Sequence, residues 1–509
     1  MMQKKNLWAV LAAMLLMVLV MNGAVADEKV FKSGNYRYRI LEDGTAEITR
    51  YSGEDKALKI PETLDGKTVT SIGNQAFRDC SFLTSVELPD SVTSMGVNPF
   101  EGCELLKNIQ VSPEQPAFAA IDGVLFSKTE KSLICYPAGK QADAYKVPQG
   151  IQQIGDYAFE SCSSLTSIEL PDSVTNVGDG AFFGCSSLSS VKLSDSVTRV
   201  GDRAFSGCNA LISIELPDSV TSMGANPFVG CEFLKNIRVS QEQPAFAVID
   251  GVLFNKAEKA LICYPGGKQA EVYKVPQGIQ QIGDFAFESC SSLTSIELPD
   301  GVMSIGNFAF RYCSSLTSIE LSDSVTRIGD CAFLECSSLK NIKLPDSVTS
   351  VGDGAFGGCS SLTSIELPDS VMKIGDNVFG GCSSLTSIEL PDSVTSIGDG
   401  AFYWCSSLMS IELPESVMSI GYRAFWACDS LMSINLPDSV TSIGDYAFSG
   451  CSSLTNIELP DSVTSIGTRV FSFCDNLTLT VQRDSYAAQY AKDNGLNYTY
   501  PDANDWLNN

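Results

Sequence analysis

Residues 382–404 read CSSLTSIELPDSVTSIGDGAFYW, and the chain starts the same 23-residue phrase again at Cys405. The register opens at Cys80 and Cys103, then at Cys162, Cys185, Cys208 and Cys231, and then at every 23rd residue from Cys290 to Cys474. A period between about 20 and 50 residues is the signature of a solenoid. Each unit is too small to bury its own apolar side and does so only against its neighbours.

Within one unit, Leu385, Ile388 and Leu390 occupy positions 1, 4 and 6, with Glu389 between the last two. That alternation predicts a short half-buried strand. Pro391 has no N–H to give to a ladder and ends the strand. Val394 and Ile397 form a second apolar pair, and Gly398 permits a kink. Asp399 is expected to N-cap a one-turn helix holding Ala401 and Phe402. Stacking then makes columns of Leu, Ile, Leu, Val, Ile, Phe and Cys.

The pattern LxxIxLPxxVxxIGxxAFxxC resembles the leucine-rich repeats of BspA-like bacterial surface proteins, over about residues 58–482. Its Phe column begins at Phe77, Phe100, Phe159, Phe182 and Phe205 and ends at Phe471. The resemblance implies a curved leucine-rich-repeat solenoid. A parallel β-sheet would line its concave face, with short helical or irregular turns on the convex side. Members of that family are secreted or cell-surface proteins, and some are adhesins that bind host proteins.

Residues 1–26 have the form of a secretory signal peptide: Lys4 and Lys5, an apolar run from Leu7 to Val20, and a small-residue cleavage site at Ala24-Val25-Ala26. No other stretch is long and apolar enough to span a membrane. No Cys follows the cleavage site to carry a lipid, so the sequence predicts export to the cell surface or beyond without an evident anchor. Residues 27–57 predict an N-terminal β-hairpin cap, with alternation from Tyr36 to Ile40, a turn at Glu42-Asp43-Gly44, and alternation again from Thr45 to Tyr51. The solenoid follows over 58–482, in about 18 turns. Two repeats are 59 residues long, Cys103 to Cys162 and Cys231 to Cys290, which is one unit of 23 and one of 36. The extra residues, near 112–147 and 240–275, predict small hairpins protruding from the solenoid edge, with turns at Asp122-Gly123 and Asp250-Gly251. Their 128-residue offset suggests a duplicated block. Residues 483–509 predict a helical C-terminal cap that starts at Ser485 and stops at Gly495.

The chain carries 34 basic and 60 acidic residues, a net charge of −26. Loss of Lys4 and Lys5 with the leader would make it −28. Such a balance argues against nucleic acid and against anionic membrane surfaces, and favours solubility of an exported solenoid as well as basic partners. Position 5 of the strand faces outward. It holds Glu297 and Glu320, then Lys343, then Glu366, Glu389 and Glu412 in succession. Like charges one strand apart repel by about 0.8 kcal/mol even at the dielectric of water, which a basic protein patch or a cation would relieve. Position 3 is mostly Ser or Asn, a small polar floor. Tyr403, Trp404 and Trp426 form an aromatic group just past the core Phe, with Tyr403 and Trp426 in one column. Such groups are typical binding hot spots.

The 18 Cys of an exported chain would ordinarily suggest disulfides. Fifteen of them share one register, however, and side chains pointing the same way pair poorly. A column of small buried hydrophobes is the expectation. Cys331, at a variable position between Asp330 and Ala332, is expected to point outward as a reactive thiol.

The chain has no His. This removes Ser–His and Cys–His nucleophile pairs, imidazole metal sites and the usual general base. Gly352-Asp-Gly354-Ala-Phe-Gly357 matches GxGxxG but has no preceding Rossmann strand. No catalytic, cofactor or metal site is expected. The reading is a non-enzymatic, secreted or cell-surface binding protein for extracellular proteins, basic, matrix or serum proteins among them. The alternative is a structural, self-associating surface component.

Overall fold

The computed structural model describes residues 29–501. The leader expected at 1–26 and the end of the expected cap, 502–509, lie outside the described residues. The chain divides into two compact units, Met1–Lys128 and Thr129–Asn509.

In the first unit, Phe31–Ser33, Tyr36–Ile40 and Ala46–Tyr51 form an antiparallel meander. Its last strand pairs in parallel with Lys67–Ile72, which pairs with Ser94–Met95. A second parallel ladder runs through Ala57–Lys59, Ser85–Leu88 and Asn108–Val111. Phe118–Ile121 and Val124–Ser127 pair as a hairpin about Asp122 and Gly123.

The second unit repeats one turn of chain with three hydrogen-bonded sides. The first side is the LxxIxL ladder, where strands pair in parallel 23 residues apart, Ser410 to Ser433 and Ile411 to Ile434 for example. The second side is a ladder of two-residue strands such as Ser396–Ile397, Ser419–Ile420 and Ser442–Ile443. The sequence had shown this only as a second apolar pair. Gly398 is required here, since a Cβ would lie 2.6 Å from Gly375 of the turn before. The third side, around Ala-Phe, is not helical. Gly400 and Trp404 are left-handed, at φ of 59° and 58°, so alternate N–H groups point at the next turn instead of closing a helix. Gly400, Phe402 and Trp404 donate to the carbonyls of Tyr422, Ala424 and Trp426 at 2.7–2.8 Å.

Asp399 does not cap its own turn. Its carboxylate accepts the N–H of Tyr422 in the following turn at 2.7 Å, and Asp376 accepts that of Asp399 at 2.8 Å. The aspartates of Ile-Gly-Asp are thus rungs between turns. Burial pushes the Asp376 carboxyl above its ordinary value, and neighbouring Asp353 and Asp399 add to the rise.

Inside the turn the Phe rings stack at regular spacing, 5.3 Å and 6° for Phe402–Phe425. Tyr136 and Tyr264 of the longer repeats take Phe positions, stacking on Phe159 and Phe287 at 5.1 and 5.2 Å. The inserted segment is therefore a full turn of solenoid rather than a protruding ornament. In the second copy, Phe246–Ile249 and Val252–Asn255 form a hairpin. Ala260–Cys263 pairs with it on one side and with Gln281–Ile282 in parallel on the other. Phe246, Val252, Leu253 and Phe254 are 0–3% exposed. Buried Gln243 anchors the hairpin, donating to the Val220 carbonyl and accepting the N–H groups of Ala245 and Phe246. Its counterpart Gln115 does the same in the first unit.

One turn is looser than the rest. The second ladder stops at Ser350–Val351 and resumes only as a single bridge, Ile374 to Ile397. Gly352 and Gly398 donate to the isoleucine carbonyls of the turns before them, whereas Gly375 makes no such bond to Val351. In this turn Val378 stands where its neighbours have Ala355 and Ala401. The Phe356–Phe379 spacing widens to 5.8 Å, the value also found at Phe448–Phe471, where Val470 makes the same replacement.

The chain closes on the helix Tyr486–Asp493. The Ser485 hydroxyl accepts the Ala488 N–H at 3.0 Å, and Ala487 and Ala491 are buried. Among the described residues no helix is long and apolar enough to cross a membrane.

Candidate partner-binding surface

The first ladder places its position-5 side chains in one exposed file. Two Lys pair with the Glu that follows them along the file, Lys146 with Glu169 and Lys274 with Glu297, both at 2.8 Å, whereas Lys343, in register with Glu366, makes no ion pair among the described residues. In the first unit Lys59 pairs with Glu87 at 2.7 Å. Glu320 lies in register between Glu297 and Lys343. Beyond Lys343 the pattern changes. Glu366, Glu389 and Glu412 follow one another as bridge partners, and all three are exposed. None of them makes an ion pair among the described residues.

The file continues across the Pro-Asp turns. The segments 364–369, 387–392, 410–415, 433–438 and 456–461 hold nine acids, Glu366, Asp369, Glu389, Asp392, Glu412, Glu415, Asp438, Glu458 and Asp461, and no Lys or Arg.

The aromatic group lies on the third side of the turn. Tyr403 and Trp426 stack at 5.0 Å and 11°, Trp404 lies 5.4 Å from Tyr403 and 5.9 Å from Trp426, and the Arg423 guanidinium sits 4.8 Å from the Tyr422 ring. Tyr403 is only 7% exposed, and Trp404 and Trp426 are half-buried. Ring faces are spent on one another and on Arg423, so the group offers edges rather than an open platform. Burial raises the Tyr403 phenol, and Arg423 opposes the rise.

A second charged aromatic cluster went unread in the sequence. Phe285 and Phe308 stack at 5.0 Å, with Arg203 over the first and Arg311 over the second. Arg311 also pairs with buried Glu288 at 3.1 Å. Burial pushes the Glu288 carboxyl up, against the pull of Arg311 and Arg203. Phe285 and Phe308 share one repeat position and Glu288 and Arg311 another, in consecutive turns, while Arg203 comes from a turn well before them in sequence.

Cys331 is not an outward thiol. It is 6% exposed, and its left-handed φ of 52° turns the side chain against the neighbouring turn, near Gly354. Burial raises its thiol to about 11. All eighteen Cys are free. Those of the main register have a specific role. From Cys103 onward each thiol donates to the carbonyl of the aromatic residue 26 positions earlier, as Cys382 does to Phe356 at 3.2 Å and Cys405 to Phe379 at 3.1 Å. Cys162 and Cys290 do so more loosely to Tyr136 and Tyr264, at 3.6 and 3.8 Å.

The BspA type Leucine rich repeat region (6 copies) matches residues 56–138, 138–257, 263–386 and 372–488. Among solved structures, the chain is similar to a leucine rich cell surface protein from Faecalibacterium prausnitzii. The identity there is 28%, with 85% of this chain and 95% of that one covered and a TM-score of 0.34. It is similar to a leucine-rich repeat protein from Bacteroides ovatus at 24% identity, covering 94% and 99%, with a TM-score of 0.40. It is also similar to the pneumococcal vaccine antigen PcpA at 22% identity, covering 93% and 98%, with a TM-score of 0.44. No curated protein matches the chain. The repeat pattern, the ladders it builds and the span of the family match agree: this chain belongs to the BspA-type leucine-rich-repeat family, whose members are non-enzymatic binding solenoids.

Proposed function

We propose that the chain is a secreted or cell-surface protein-binding module with an adhesin-like role toward host or neighbouring-cell proteins. Its first-ladder face between residues 364 and 461 takes the basic surface of an extracellular partner. The observation that carries this reading is the run of nine acids without a base. In an isolated chain those carboxylates repel one another. A partner bearing Lys and Arg relieves the repulsion, and long-range attraction speeds the encounter. The test is capture by residues 27–509 from defined matrix and serum proteins at two salt concentrations. Capture of a basic protein that weakens at high salt is expected. Self-association on sizing with no foreign protein captured at either salt would overturn the reading.

A further inference from the structure

Resting on that reading, we propose that the face between residues 409 and 462 is a docking seat for an extended protein segment carrying an apolar residue and an Arg or Lys about six residues apart. Two features of the surface call for both groups. The first is apolar. Position 2 of the strand is Thr in the turns on either side, Thr386 and Thr455, but Met in two consecutive turns, Met409 and Met432. They are 46% and 53% exposed, and the Met432 N–H donates to the Met409 carbonyl at 3.1 Å, so they are next-door neighbours. Exposed thioethers are adaptable apolar contacts.

The second feature is a cavity of about 470 Å³ at the far end of the same strands. It is lined mainly by polar groups, the carboxylates of Glu415, Asp438, Glu458 and Asp461 with Ser462 and Gln482, around the buried Leu436, Pro437 and Pro460. An Arg or Lys head fits among those four carboxylates.

The bases in residues 405–483 are each engaged. They are Arg423 and Arg469, both in third-side turns, and Arg483, which follows Gln482 of the cavity wall and lies 4.2 Å over the Tyr500 ring. Arg423 is engaged with aromatic rings, and Arg469 with the Tyr446 hydroxyl at 3.4 Å. From Met432, through the strand Ser433–Asn435, to Asp438 at the turn is six residues, at most about 20 Å. A partner segment lying along the strand covers that distance in about six residues of its own. Extended backbone is favoured over a helix because the surface is a narrow file, with one apolar end and one acidic end and small Ser433 and Asn435 between them.

The test uses residues 27–509 and two synthetic peptides of equal net charge, one with Leu and Arg six positions apart and one with that Leu replaced by Ser. Met409→Thr/Met432→Thr restores the side chain used by adjacent turns and is expected to fold normally, which a thermal melt checks. It is expected to weaken the Leu-containing peptide about tenfold with its salt dependence unchanged, since burying two Met is worth at least about 1.4 kcal/mol. Asp438→Asn/Asp461→Asn is expected to weaken both peptides and to flatten the salt dependence. Equal affinity for the two peptides, or none lost in the Met variant, would overturn the seat while leaving a generic acidic surface. Failure of both peptides to bind, with basic proteins still captured, would overturn the seat alone. Failure of peptides and proteins alike would overturn the parent reading with it.

Discussion

At the scale of the residue, cysteine does more here than fill space. The carbonyl of Phe356 already accepts the Cys359 N–H at 3.1 Å and takes the Cys382 thiol as a second donor. A protonated thiol is needed for that, and burial enforces it: Cys231, Cys313 and Cys382 are each raised to about 12. The consequence for stability has a definite sign. A thiol raised in the fold stays protonated while its unfolded counterpart ionises, so its contribution is whole below pH 9 and is lost as pH climbs from 9 towards 12. Each buried thiol then costs about 1.4 kcal/mol per pH unit. Denaturant midpoints are expected to hold steady from pH 6 to 8 and to collapse above pH 9, in step with reaction of the thiols with an alkylating reagent. A midpoint unchanged at pH 10.5 would refute the arrangement. The register made the Cys column legible, because fifteen side chains at one position share one environment. The donor role was not legible, since it depends on where the Phe carbonyl of the preceding turn points. Cys331 misled for a related reason. A variable position suggests an outward side chain, but a left-handed backbone turns this one inward.

At the scale of the element, the second ladder is weakest in the turn from Cys359 to Cys382, and the core side chain that sets this turn apart from those on either side is Val378. Val378 is 2% exposed where the turns on either side have Ala355 and Ala401, and the Phe356 and Phe379 rings beside it stand 5.8 Å apart. Overpacking of this size forces small backbone shifts. Val378→Ala is expected to let the turn close. By hydrogen exchange, the Gly375 amide should go from faster than Gly352 and Gly398 in the parent to similar protection in the variant. Its stability cost should be below about 1 kcal/mol, less than the usual penalty for truncating a core residue. Continued fast exchange at Gly375 would mean that the break has another origin. The strands themselves were readable from Leu385, Ile388 and Pro391. The two-residue second ladder was not, because Ser396–Ile397 is too short to show alternation. Asp399 was misassigned because a strict repeat does not say whether a carboxylate serves its own turn or the next. The hairpin at Phe246–Ile249 was visible from its Asp-Gly turn, but its burial depends on Gln243, a polar residue with no distinctive sequence context.

At the scale of the whole molecule, the proposed function rests on departures from the repeat rather than on the repeat. Lys274 beside Glu297 neutralises the file, and Glu366, Glu389 and Glu412 leave it charged. That contrast was legible in the sequence, since register alone sets which side chains face each other. The stacking of Tyr403 on Trp426 was legible in the same way, whereas the burial of Tyr403 was not. The direct measurement is the salt dependence of affinity for one basic protein captured by residues 27–509, compared with Glu366→Gln/Glu389→Gln/Glu412→Gln and with Glu297→Gln. The account predicts that the triple variant binds at least about fivefold more weakly at low salt with a shallower salt dependence. Glu297→Gln, whose carboxylate is already paired with Lys274, should match the parent. Equal losses in the two variants, or none in the triple, would contradict it.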